Sequence, residues 1–379
     1  MRVKGIAPIG IVAIALSLIA CAAPPAPTPT TAPKIAPPTA TTAAAAPTAA
    51  PKAVATPAAA APTPAPKATA APKTLTKVKV SYTALSGQFW PVWLAQEQKL
   101  YQKNGLEVEL QYIASSTTAM QAMLSGEVPL SYGGSGETFV AASIGGADVI
   151  MIGALYNKVI MYFFGLPSVS GPADIKGKTV GVSRFGSQTD GSARFALRKM
   201  GLDPEKDVTL LQMGGVPEIL AGLIGGSIVA GPLSPPNSFK ALDSGFKELM
   251  DIGAAGLEYS SPVVTTRAFL RNNSATALAF LRSVIEGTYV LKTNKAVSME
   301  VLGKYTKTDD KKTLEGTYAA YVDKAEKIPY VSREALMVAI EQVARENEKA
   351  KGANPDSFYD MQFVKQIEDS GFIKQLYKE

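Results

Sequence analysis

From residue 74 onward, short apolar runs alternate with amphipathic segments, and this alternation restricts the possible folds more than any other feature. Runs at 78–82, 108–113, 128–132, 149–155, 159–166, 179–183, 208–212 and 228–233 read as strands. Segments 90–104, 117–125, 138–144, 188–200 and 217–224 read as helices, the first two closed by Gly105 and Gly126. Strands and helices alternating this regularly imply an α/β fold, a parallel sheet with helices on its faces. Beyond residue 275 the pattern is almost wholly helical, with starts expected near Ser274, Asp309 and Ser332. About 300 residues suffice for two α/β lobes rather than one core. A faint echo supports two halves: Leu124-Ser125-Gly126-Glu127-Val128 recurs as Ile224-Gly225-Gly226-Ser227-Ile228 after the same strand–helix order.

The clearest single unit is 176–190. The strand 179–183 runs into the turn Arg184-Phe185-Gly186, and Ser187 to Asp190 opens a helix with a serine and an acid three residues later. Such a turn presents free backbone N–H groups and a positive dipole end beside a sheet edge. It therefore favours a small-molecule or anion site, although any strand-to-helix unit carries a turn of this kind.

Residues 1–21 read as an exported leader. Arg2 and Lys4 precede an apolar stretch, 6–20, shorter than the ~20 residues a spanning helix needs. Residues 22–73 are Ala, Pro and Thr with four lysines and no acid, a composition too poor in apolar surface to fold. A disordered tether is expected, roughly 40 Å long as a coil and up to about 160 Å if polyproline-like. The net charge of +6 has its source here: six basic residues and no acid lie in residues 1–73, so the remainder, with 32 acids, is neutral. Nucleic-acid binding is therefore not expected, although the tether lysines suit anionic lipid.

Leu18-Ile19-Ala20-Cys21 resembles a bacterial lipobox, which implies lipid attachment at Cys21, the only cysteine. Further on, Lys103-Asn104-Gly105-Leu106-Glu107-Val108, Leu124-Ser125-Gly126-Glu127, Ala173-Asp174-Ile175-Lys176-Gly177-Lys178, Val182-Ser183-Arg184-Phe185-Gly186-Ser187, Leu233-Ser234-Pro235-Pro236 and the tail Ser370-Gly371-Phe372-Ile373 stand in a distinctive order. In that order they resemble the solute-binding proteins of ABC importers in the nitrate/sulfonate/taurine and thiamine-pyrimidine-precursor group. Pro129 and Val229 depart from the aspartate usual there, which touches local turn geometry. The resemblance implies a two-lobe type II periplasmic binding protein fold with a ligand cleft between the lobes. Crossovers are then expected at 166–171 and 259–264, dividing the chain into lobe 1 (74–168 plus 262–379) and lobe 2 (169–261). The implied protein is a monomer, lipid-anchored outside the cytoplasm, that captures a small organic anion or heteroaromatic by lobe closure. Its partners are an ABC permease and that permease's cytoplasmic ATPase. A tethered sensor without transport and a histidine-free hydrolase stand as alternatives.

The strand-to-helix turns supply the candidate ligand-binding residues. From the first lobe these are Ser86, Gln88, Phe89 and Trp90, then Ser116, Thr117, Gly134, Ser135 and Tyr156, with Trp93 read as packing. From the second come Arg184, Phe185, Gly186, Ser187, Gln188, Gly214, Gly215, Ser234 and Pro235. Arg184 is the one cation near the expected cleft, and a merely solvated turn arginine is an equal reading. Catalysis is not expected. The chain has no histidine, so Ser-His-Asp, Cys-His and His-metal schemes are excluded, and Gly133-Gly134-Ser135-Gly136 lacks the Lys-Ser/Thr of a phosphate loop. No cofactor or metal is expected either.

Overall fold

Every apolar run named above overlaps a strand in the computed structural model, which describes residues 74–379. The leader, the tether and Cys21 lie outside the described residues. Among the described residues no helix is long and apolar enough to cross a membrane.

The strands form two five-stranded sheets. The first holds β1 (Thr76–Tyr82), β2 (Leu106–Tyr112), β3 (Leu130–Tyr132), β4 (Ile150–Tyr156) and a late strand, Ser261–Thr265. The second holds β5 (Tyr162–Gly165), β6 (Thr179–Val182), β7 (Thr209–Gln212), β8 (Ala230–Leu233) and β9 (Lys247–Asp251). With Ser261–Thr265 as β10, the orders are β2-β1-β3-β10-β4 and β7-β6-β8-β5-β9. These orders superimpose term by term, so the sequence echo reflects a repeated architecture. Both echoed segments end their helices alike: Gly126 and Gly226 take φ of +81° and +68°. Val128 N then donates to Ala122 O, and Ile228 N to Gly222 O.

A parallel sheet was expected, and each sheet contains in addition one antiparallel insertion. β10 runs against β3 and β4, and β5 runs against β8 and β9. The cause is connectivity. β4 leaves the first sheet at the cleft end, so a chain entering the second sheet starts at its cleft end and must run opposite to β6–β8. The return strand β10 obeys the same geometry. The chain crosses at 157–161 and 252–260, ahead of the expected 166–171 and 259–264. Tyr162-Phe163-Phe164-Gly165, expected in the first lobe, belongs to the second sheet. Only the polar pair Asn157-Lys158 marks that first crossing in an otherwise apolar run.

Central strands read as continuous apolar runs because both faces are covered: all seven residues of β4 and all five of β10 are buried. β1 alternates at its start, where Lys77 and Lys79 face solvent, and is buried through Val80, Ser81 and Tyr82. The expected helix 90–104 is broken. Trp90–Glu97 stops at Lys99, which adopts φ of +55°, and a single turn, Leu100–Lys103, follows. The helical tail packs on the first lobe. Its longest helix, Arg267–Thr293, bends at Asn273, beside the expected start at Ser274, and lies along Trp90–Glu97. At their crossing a Cβ on Gly287 would sit 2.1 Å from Pro91 O, so only glycine permits this approach. Asp310 and Ser332 cap the helices Lys311–Tyr321 and Arg333–Glu346, one residue from and at the expected starts.

Candidate functional site

Because β1–β3 and β6–β8 all point their carboxyl ends at the line between the sheets, the turns that follow them meet there. The lobes are in contact across this line. Gly87 N donates to Pro235 O at 3.2 Å and Thr138 Oγ1 to Gly186 O at 3.0 Å. At the rim, Lys312 Nζ lies 2.8 Å from Asp243. Gly215 also approaches the first lobe, since a Cβ there would lie 3.1 Å from the Tyr112 hydroxyl.

A cavity of ≈ 20 Å³, about what one water occupies, lies between the turns. The first lobe contributes Thr83, Ala84, Ser86, Gln88, Ser115 and Ser116 to its wall, and the crossover contributes Met161. The second contributes Ser183, Ser187, Gln188, Thr189, Gly215, Val216 and Ser234. Eight of these carry hydroxyls and none is charged. Several are helix caps. Ser115 accepts from Thr118 N, Ser187 accepts from Asp190 N, and Gly215 precedes the helix Val216–Ile224. Three helix N-termini therefore face one small space, with their unpaired N–H groups and positive dipole ends.

The hydroxyls are already organised. Ser183 Oγ lies 2.9 Å from Ser187 Oγ and 2.7 Å from Thr189 Oγ1. Ser116 Oγ is 2.9 Å from Thr138 Oγ1, and Ser86 Oγ is 3.1 Å from the Tyr321 hydroxyl. Burial holds the Tyr321 hydroxyl well above the ordinary tyrosine range, so it stays a neutral partner. Gln88 Nε2 is buried and has no hydrogen-bond partner, while the Gln88 backbone carbonyl accepts from the Tyr132 hydroxyl at 2.9 Å. An unpartnered buried amide on a cavity wall is a standing donor for an oxygen atom. The wall can thus hold a small acceptor-rich group with neutral donors only.

The structure therefore places Ser86, Gln88, Ser116, Ser187, Gln188, Gly215 and Ser234 together on this wall. Thr117, Gly134, Ser135, Gly186, Gly214 and Pro235 stand behind it. Thr117 bonds Ser115 at 2.8 Å, Gly134 packs on Ser116, and Ser135 precedes the helix Gly136–Ile144. Gly214 turns the chain with φ of +110°, while Gly186 and Pro235 offer their carbonyls to the opposite lobe.

The remaining five expected residues do not line this wall. Phe89 and Trp90 are fully buried in the first lobe's core. The Phe89 ring meets Tyr132 at 5.3 Å, and Trp90 Nε1 donates to Ser298 O. The Phe89 ring also packs on Tyr82 and Trp93, and Trp90 lies edge-on to Tyr318 of the tail helix Lys311–Tyr321, so both rings are spent within the first lobe. Tyr156 is likewise core, edge-on to Tyr321 at 5.6 Å. Arg184 and Phe185 are exposed, Phe185 by 47%, and neither lines the cavity. Sequence reasoning missed Thr83, Ser115, Ser183 and Thr189. Their signal was their position, since Thr83 and Ser183 are the first residues after β1 and β6. Among the described residues no group of three or more Asp, Glu, His or Cys is arranged to hold a metal ion.

Residues 86–295 match the family model described as NMT1/THI5 like. YtlA of Bacillus subtilis (strain 168), named as a binding protein, is 22% identical over 231 residues, 59% of this chain and 69% of YtlA. Among solved structures, a protein from Bordetella bronchiseptica RB50 superimposes with a TM-score of 0.71 at 18% identity, covering 80% of this chain and 98% of that one. The alkanesulfonate-binding protein SsuA from Xanthomonas axonopodis pv. citri, bound to MOPS, gives 0.62 at 15% identity, covering 76% and 98%. These likenesses establish the fold.

Proposed function

The chain belongs to the NMT1/THI5-like family and has the periplasmic binding protein fold, and from that premise we propose that it is the extracytoplasmic solute receptor of an ABC importer. The observation that carries this reading is the uncharged, hydroxyl-rich cavity shared by both lobes, with the free Gln88 amide and three helix N-termini on its wall. Neutral donors and dipole ends favour a small oxyanion or another acceptor-rich head group, because they offset negative charge without a counter-ion. Sulfonates, carboxylates, nitrate and pyrimidine-like heterocycles share that chemistry.

Capture proceeds by closure. With the lobes touching, the cavity is too small for anything larger than about one water, so ligand enters while the lobes are parted. It then replaces hydration by hydroxyl and N–H contacts from both sides. The bonds Gly87 N to Pro235 O and Thr138 Oγ1 to Gly186 O reform around it, and the closed surface is what a permease recognises. The tether and a lipidated Cys21 would keep the receptor at the membrane.

The test is a thermal-shift screen of alkyl and aryl sulfonates including MOPS, aromatic carboxylates, nitrate and pyrimidines, followed by equilibrium dialysis. A true ligand at a hundred times its Kd raises stability by about 2.7 kcal/mol. Absence of saturable binding by every class at millimolar concentration would remove the receptor reading.

A further inference from the structure

A second cavity, of ≈ 150 Å³, lies beside the cleft. Its walls come from the helices Gly136–Ile144 and Arg333–Glu346 of the first lobe and Gln188–Lys199 of the second. Charged groups crowd it. Arg194 Nε donates to Asp190 Oδ1 at 2.9 Å and its Nη1 contacts Glu205, while Arg198 Nη2 lies 3.4 Å from Glu346. Both guanidinium groups are thereby matched by carboxylates.

Glu137 is left over. It is only 9% exposed, and its Oε1 has no hydrogen-bond partner. Burial, reinforced by Asp190 and Glu346, pushes its pKa up to about 8, with Arg198 alone acting in the opposite direction. The nearby Tyr259 hydroxyl accepts from Gln188 Nε2 and is itself held neutral by burial and by Glu137. Among the described residues no further cation completes the cluster, which sets the carboxylates of Glu137, Asp190, Glu205 and Glu346 against two guanidinium groups.

We propose that this cavity is a second binding site, taking a small organic ammonium cation that donates to Glu137 and rests its short apolar body against Ala141 and Val343. The cation supplies the charge the cluster lacks and gives the orphaned carboxylate its partner. The cavity is large enough, since apolar cavities of about 150 Å³ admit a benzene ring. Because both lobes build the walls, occupancy stabilises their closed arrangement, whatever the cleft itself binds.

Isothermal titration calorimetry of the full chain with n-butylammonium chloride tests this, at about pH 7 and in two buffers of different ionisation enthalpy. Saturable one-to-one binding is expected, with proton release, because a bound cation lowers the Glu137 pKa and drives off its proton. Neutral n-butanol should bind about tenfold more weakly or worse, and Glu137→Gln should weaken the cation to the same degree. Ala141→Phe, which fills the cavity without altering charge, should also weaken it. No saturable binding, equal affinity for butanol, absence of proton release, or unchanged affinity in Glu137→Gln would each overturn the proposal.

Discussion

Glu137→Gln should make the folded chain progressively more stable than wild type as the pH rises from about 4.5 to about 8. The magnitude follows from the Glu137 environment. Moving its pKa from the ordinary 4.5 to about 8, at about 1.4 kcal/mol per pH unit, corresponds to about 5 kcal/mol. Below pH 4.5 the carboxyl is protonated whether the chain is folded or not, so wild type loses nothing. Between 4.5 and 8 the unfolded chain releases this proton while the folded one retains it, and wild-type stability falls. Above 8 both are ionised and the loss is complete. Glutamine is neutral throughout and keeps the shape. Urea unfolding of both proteins at about pH 5, 7 and 9 should therefore show a gap widening by about 1.4 kcal/mol per pH unit and then levelling. The wild type can also relieve the buried charge by parting its lobes, since Gly191 of the second lobe sits against Glu137. The penalty then appears as a larger radius of gyration at pH 9 in wild type alone. A constant gap together with an unchanged radius would refute the account of Glu137.

Gly191→Ala places a methyl 2.1 Å from Glu137 Oε2, the end of a flexible side chain that can swing aside, so affinity for whichever solute the screen identifies should fall less than about tenfold, read by dialysis. Ser187→Phe should abolish that binding by filling the cavity, while losing the helix cap costs only about 1 kcal/mol in thermal unfolding. Trp90→Phe should lower thermal stability by about 1–3 kcal/mol through the lost bond to Ser298 O and leave solute affinity unchanged. A loss of affinity in that variant would return Trp90 to the site.

The turns were legible because their chemistry is local. A serine or glycine within a few residues of the end of an apolar run has to cap or bend the chain, so Ser86, Ser116, Ser187, Gly215 and Ser234 could be named from position alone, and all reach the cavity wall. Aromatic residues in the same turns misled. Phe89, Trp90 and Tyr156 have the size and polarity of ligand contacts, and nothing nearby in sequence reveals that the tail helices cover Trp90 and Tyr156 or that Tyr132 closes over Phe89. Glu137 was invisible for a related reason. An acid in the first turn of a helix ordinarily faces solvent and the dipole, and the approach of Gln188–Lys199 and Arg333–Glu346 buries this one.

The sequence alone determined the alternation of strands and helices, the glycine endings of the echoed halves and the polar character of the cleft turns. All of these depend on backbone preferences and side-chain periodicity within a few residues. Tertiary structure decided where the chain changes lobes, and with that the antiparallel insertions β5 and β10 and the residues that face core, cleft or second cavity. Each of those outcomes depends on which distant surface arrives to cover a residue, and a buried side chain looks the same in sequence whichever surface that is.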